Sequence, residues 1–198
     1  LQRAAPLSRV WRLAGGWCEG EQRSALPPAG TISAYWHQSV ARLSREIATA
    51  RAGRCAAWSL PVTTSPEERT LAAVATPPQP NAGVVVVCSE RPEAAAALAD
   101  ACRTGGFEVI VGGKSVGVET SAPAAIVWDA RIAEIADSQL VRRLRETAGG
   151  APVVAVVGFP REQDVWRARA AGVATVVSKP YLMADLLWHV ARCVAVRA

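Results

Sequence analysis

Apolar and polar positions change their rhythm at residue 81. Beyond it, short apolar runs alternate with longer stretches in which apolar residues recur every three or four positions. The runs are Val84–Val87, Phe107–Val111, Ala124–Asp129, Pro152–Val157 and Ala174–Val177. Their length, their β-branched content and the Gly, Pro or Asp at their borders predict strands covered on both faces. The intervening periodicity predicts helices over Pro92–Arg103, Ile135–Thr147, Arg161–Ala171 and Met183–Val196. Pro92 sits near the first helix's start, and Gly105-Gly106, Gly149-Gly150 and Gly172 stand just past helix ends, the usual punctuation of helices. Residues 112–123 are short, glycine-rich and carry little helical signal. Five strands alternating with helices predict an α/β architecture, a doubly wound five-stranded parallel sheet. Right-handed crossovers favour the strand order 2-1-3-4-5.

The first part of the chain is less regular. A strand and glycine loop are expected within Arg9–Glu21, a second strand over Thr31–Trp36, and an amphipathic helix to about Arg51 with Val40, Leu43 and Ile47 on its apolar face. Residues 1–56 thus form a partial α/β segment, half of a doubly wound unit. Residues 57–80 are read as a Pro-rich linker, ending at Pro77-Pro78-Gln79-Pro80 and holding a short helix over Glu67–Val74 with Ser65 as N-cap and Pro66 at its first position. Residues 81–198 make the main domain.

Composition narrows the functional classes. With 51% hydrophobic and 20% charged residues the chain is expected to be a packed protein, and no apolar run approaches the ~20 residues of a membrane span. Leu1–Arg12 has no apolar core with a cleavage site, so no signal peptide is expected. A chain opening without Met is what a piece of a longer protein would show. The +5 charge is almost all arginine, Lys114 and Lys179 being the only lysines. These arginines are scattered over helix faces, so a nucleic-acid-associated regulatory role is only a minor alternative. Five cysteines at wide spacing, with no C-x-x-C, point to buried thiols in a reducing cytoplasm. Abundant Arg and Ala suggest a bacterial source.

Candidate chemistry centres on Asp129. In an open parallel sheet, functional groups sit beyond the carboxyl ends of the strands, which is where the third run places this acid. The plain alternative is a carboxylate capping the next helix. Fifty positions later comes Ala171-Gly-Val-Ala-Thr-Val-Val-Ser178-Lys179-Pro180-Tyr181. With that spacing, residues 82–198 resemble a response-regulator receiver domain of two-component signalling. The resemblance implies a flavodoxin-like fold, Asp129 as candidate phosphoacceptor, and Lys179 with Ser178 as candidate phosphate contacts. It also implies an acidic pair after the first strand that holds a divalent metal.

Several working parts depart from that pattern. The acidic pair is reduced to Ser89 and Glu90, so Glu90 and Asp129 form at best a weak Mg²⁺ site, and no other cofactor is implied. The hydroxyl position after the fourth strand falls on Val157, and the aromatic switch position near Val176. The expectation is a degenerate, or pseudo-, receiver in which Asp129 and Lys179 survive as a salt bridge and helix cap. It would be no enzyme, working by contact with a protein partner in a signalling pathway or phosphorelay, with self-association also open. The alternative is a functional response regulator phosphorylated at Asp129. In receivers the fourth helix, fifth strand and fifth helix carry output, which makes Trp166, Tyr181 and Trp188 the candidate anchors, framed by Arg167, Arg169 and His189. The N-terminal segment is read either as the trailing half of a second receiver-like unit or as an ancillary α/β segment.

Three other motifs lead nowhere. Gly113-Lys114-Ser115-Val116-Gly117, with Asp129 and His189 after it, matches a hydrolase elbow, but the helix required directly after the serine is missing from the pattern. As a P-loop the same stretch would need Gly at position 108, which is Glu108. Glu19, Glu21 and His37, near Trp17 and Trp36, are read as structural.

Overall fold

The computed structural model describes residues 10–15, 31–61, 63–65, 68–69, 71–72, 83–113 and 123–195. The chain divides into two compact units, Leu1–Thr76 and Pro77–Ala198.

In the first unit, β1 (Val10–Ala14) and β2 (Thr31–Tyr35) pair in parallel, Val10 opposite Thr31 and Ala14 opposite Tyr35. The helix α1 (Trp36–Arg51) follows β2 directly. Its apolar stripe is not its buried face. Val40 is 69% and Leu43 40% exposed, while Arg45 and Glu46 are buried. The two charges pair, Arg45 Nη2 donating to Glu46 Oε1 at 2.9 Å, and Glu46 Oε2 accepts from the Trp58 backbone N–H at 3.4 Å. Trp58, in a 3₁₀ turn over Ala57–Ser59, meets the Trp11 ring edge-on with centroids 6.4 Å apart. In the expected linker, residues 68, 69, 71 and 72 are helical, and the Ser65 hydroxyl accepts from the Glu68 N–H as an N-cap would.

The second unit contains β3 (Val84–Cys88), α2 (Pro92–Thr104), β4 (Glu108–Gly112), β5 (Ala125–Ala130), α3 (Ile132–Ile135), α4 (Ser138–Thr147), β6 (Val153–Gly158), α5 (Glu162–Ala170), β7 (Thr175–Lys179) and α6 (Met183–Ala195). The five strands form one sheet in the order β4-β3-β5-β6-β7, every neighbouring pair parallel. Numbered within the unit, that order is 2-1-3-4-5, the flavodoxin-like topology.

Strand alternation sends successive side chains to opposite faces. Val86, Ile126, Trp128, Val153, Ala155 and Val157 join Ile135, Val141, Leu144 and Ala168 on the face covered by α3, α4 and α5. Val85, Val87, Val127, Val154, Val156 and Val177 join Leu98, Cys102, Leu186 and Val190 under α2 and α6. Burial on both faces explains why these strands read as unbroken apolar runs. On the second face α2 and α6 approach closely at Gly105. A Cβ there would lie 2.5 Å from Leu187 Cδ2, so the helix-ending glycine also makes room for its neighbour.

Two boundaries differ from the periodicity. The single helix expected over Ile135–Thr147 is split in two, because Asp137 caps α4, its Oδ1 accepting from the N–H groups of Gln139 (2.9 Å) and Leu140 (3.1 Å). Strand β7 runs on through Ser178 to Lys179. No helix among the described residues is long and apolar enough to cross a membrane.

Candidate functional site

Parallel strands end together, and the carboxyl ends of β3, β5 and β7 converge on Asp129. Asp129 is the penultimate residue of β5 and Lys179 the last of β7. Asp129 alternates with Ala125 and Val127, and Lys179 with Val177, so both project from the α2/α6 face. The loop after β3 supplies Ser89 and Arg91. Lys179 Nζ donates to Asp129 Oδ1, and Ser89 Oγ to Oδ2 at 2.6 Å. Arg91 Nη2 reaches both oxygens, at 3.2 Å and 3.0 Å. The Asp129 side chain is 5% exposed, against 27% for Lys179 and 64% for Arg91. Burial pushes the Asp129 carboxyl upward. The bonds from Lys179, Ser89 and Arg91, together with the lysine's charge, outweigh that effect and hold it below the usual Asp range.

This arrangement corrects part of the sequence reading. Asp129 caps no helix, since α3 is capped at Arg131 through its contacts with Glu134. Ser178 lies on the opposite sheet face from Lys179 by alternation, and its hydroxyl donates to the Lys179 carbonyl at 3.2 Å. Val157, at the expected hydroxyl position, is fully buried in the apolar core. Glu90 turns toward Arg131, 4.0 Å from Nη2.

A divalent metal does not fit these residues. Mg²⁺ requires octahedral oxygen ligation and keeps several of its waters. Both Asp129 oxygens are already engaged by cationic groups, and Ser89 stands where a second carboxylate is needed. The crevice lined by Ser89, Glu90, Trp128, Asp129 and Glu134 has a volume of ≈ 20 Å³, room for about one water. Among the described residues no three His, Cys, Asp or Glu side chains gather as metal ligands.

Neither a family model nor a curated protein matches the chain. Solved structures similar to it include a pilus assembly-related protein from Burkholderia pseudomallei, at 21% identity and TM-score 0.46, covering 57% of this chain and 89% of that one. A pilus assembly protein CpaE from Caulobacter crescentus aligns at 17% identity and TM-score 0.47, over 57% and 93% of the two chains. A response regulator from Thermotoga maritima aligns at 21% identity and TM-score 0.43, over 57% and 97%. Within this chain, a 2-1-3-4-5 parallel sheet brings an acid on its third strand to a lysine on its fifth. The second unit has the flavodoxin-like fold.

On this fold the three expected aromatic anchors differ in exposure. Trp166 stands 69% exposed on α5. Tyr181 is half-buried against the α2/α6 core, and burial raises its phenol pKa, aided by Cys102 and Asp129. Trp188 is half-buried, with the Arg192 guanidinium 5.4 Å from its ring centroid. His189 is buried rather than framing a surface. Cys88 and Cys102 are buried, whereas Cys55 is exposed.

The Lys-Pro peptide, Lys179–Pro180, is cis. Residues 114–122 of the hydrolase-like and P-loop-like motif, and Trp17, Glu19 and Glu21, lie outside the described residues. Sequence reasoning missed Arg91 at the site and Phe159, 48% exposed just past β6. The available signal for Arg91 was its place between Glu90 and Pro92, one step from the reduced acidic pair.

Proposed function

We propose that the receiver-fold unit is a degenerate signalling module that acts by protein–protein contact and does not depend on phosphorylation of Asp129. One observation carries this reading: both oxygens of a nearly buried carboxylate accept hydrogen bonds from Lys179, Arg91 and Ser89. To accept a phosphoryl group, the carboxylate needs a free oxygen and a compensating divalent cation beside it. Here that compensation is intramolecular. The contact surface we assign includes Trp166, whose exposed ring beside Arg167 is of the type that anchors interfaces.

Incubation with acetyl phosphate and Mg²⁺, read by intact-protein mass spectrometry, tests the proposal. The expected result is no phosphoryl adduct that disappears in Asp129→Asn. A stoichiometric adduct lost in that variant would establish the second reading, a phospho-accepting response regulator, which the juxtaposition of Asp129 and Lys179 favours.

A further inference from the structure

We infer that Arg91 is the residue that closes the Asp129 pocket to divalent cations, its guanidinium acting as a permanent internal counter-ion. The inference rests on the proposed reading of the site and names what enforces it. Arg91 Nη2 bridges the two carboxylate oxygens at 3.0 Å and 3.2 Å, so neither edge of the carboxylate is left to a metal ion. With Lys179 on the same group, two unit positive charges face the Asp129 carboxylate and repel a further cation that approaches its oxygens.

The loop holds the arginine in place from its backbone. Arg91 precedes Pro92 at the start of α2 in an extended conformation (φ −106, ψ 114), and its N–H donates to Ser89 Oγ at 3.1 Å. That same hydroxyl lies 2.6 Å from Asp129 Oδ2. Ser89 thereby fixes both the carboxylate and the residue that covers it. The Arg91 side chain is 64% exposed, so it covers the Asp129 carboxylate from the solvent side and contributes little to the core. Its removal takes one positive charge from the site and leaves each Asp129 oxygen with one fewer hydrogen bond. A carboxylate oxygen freed in this way suits hard divalent ions such as Mg²⁺ and Mn²⁺.

The test is a Mn²⁺ titration of the full chain, followed by paramagnetic broadening of backbone amide signals. Three proteins are compared: wild type, Arg91→Ala and the double variant Ser89→Asp/Arg91→Ala. Wild type is expected to show no saturable broadening centred on residues 89–91 and 129. Arg91→Ala is expected to show it, with an apparent affinity tighter by about tenfold or more, and the double variant more tightly still. Arg91→Ala alone decides the matter, because its position is exposed and the amide spectrum itself reports a retained fold. Wild type binding Mn²⁺ there as tightly as Arg91→Ala overturns the inference, and so does a folded Arg91→Ala with no centred broadening. Either result can occur without a phosphoryl adduct on wild type, so failure of the Arg91 role is separable from failure of the functional reading.

Discussion

At the scale of single residues, His189 shows how burial sets a charge state. Its Nδ1 lies 3.3 Å from Thr175 Oγ1, and its Nε2 is buried with no hydrogen-bond partner. Burial, reinforced by the charges of Arg192 and Arg169, lowers its pKa from 6.5 to about 4. A lowered histidine pKa means that the unfolded chain takes up the proton first. The stability it permits is therefore whole above pH 6.5 and is lost as pH falls toward 4. The steepest loss is about 1.4 kcal/mol per pH unit. Asp129, also lowered, acts in a separate window, its contribution fading only below its ordinary value of 3.8. Urea denaturation followed by circular dichroism at pH 7 and pH 4.5 should show wild type losing stability and His189→Phe losing markedly less. Equal losses in the two proteins would place the pH sensitivity elsewhere. Asp129 could be found from the sequence because its apolar run ends there, and Lys179 through the receiver resemblance of Ser178-Lys179-Pro180 fifty positions later. Arg91 was harder to find: its place between Glu90 and Pro92 puts it near the site, but nothing in the sequence shows that its side chain reaches Asp129.

Element by element, periodicity located the helices better than it oriented them. The α1 helix lies where the three-to-four spacing puts it, yet it turns Arg45 and Glu46 inward and leaves Val40 and Leu43 largely exposed. A hydrophobic pattern is silent about a buried charge pair. Arg45 and Glu46 are adjacent in sequence and 2.9 Å apart in the structure, and Glu46 also holds the Trp58 backbone. Glu46→Ala takes the adjacent anion from the buried Arg45 guanidinium and is expected to cost the first unit about 3 kcal/mol. Faster hydrogen exchange of amides in α1 is the measurement, and unchanged protection would contradict the burial described. The split between α3 and α4 was missed for a related reason. Asp137 is a strong N-cap that the apolar periodicity of the surrounding segment ran straight across. The strands fared better, because unbroken valine runs leave few alternatives once both faces must be covered.

At the scale of the whole molecule, the sheet order of the second unit brings Asp129 and Lys179 together, and the loop after β3 brings Arg91 and Ser89 to meet them. The geometry of the sheet depends only on strand order. The chemistry at its edge depends on a few loop residues, which is why the fold can persist while the site changes character. The first unit's parallel strand pair and following helix use the same local grammar on a smaller scale. The central claim is that Asp129 is closed by its own protein's cations. Beryllofluoride mimics an acyl phosphate only where a carboxylate oxygen and a divalent cation are both available. A ¹⁹F NMR spectrum of the full chain with beryllofluoride and Mg²⁺ should show only free fluoride species. A bound resonance, stoichiometric and absent from Asp129→Asn, would contradict the account.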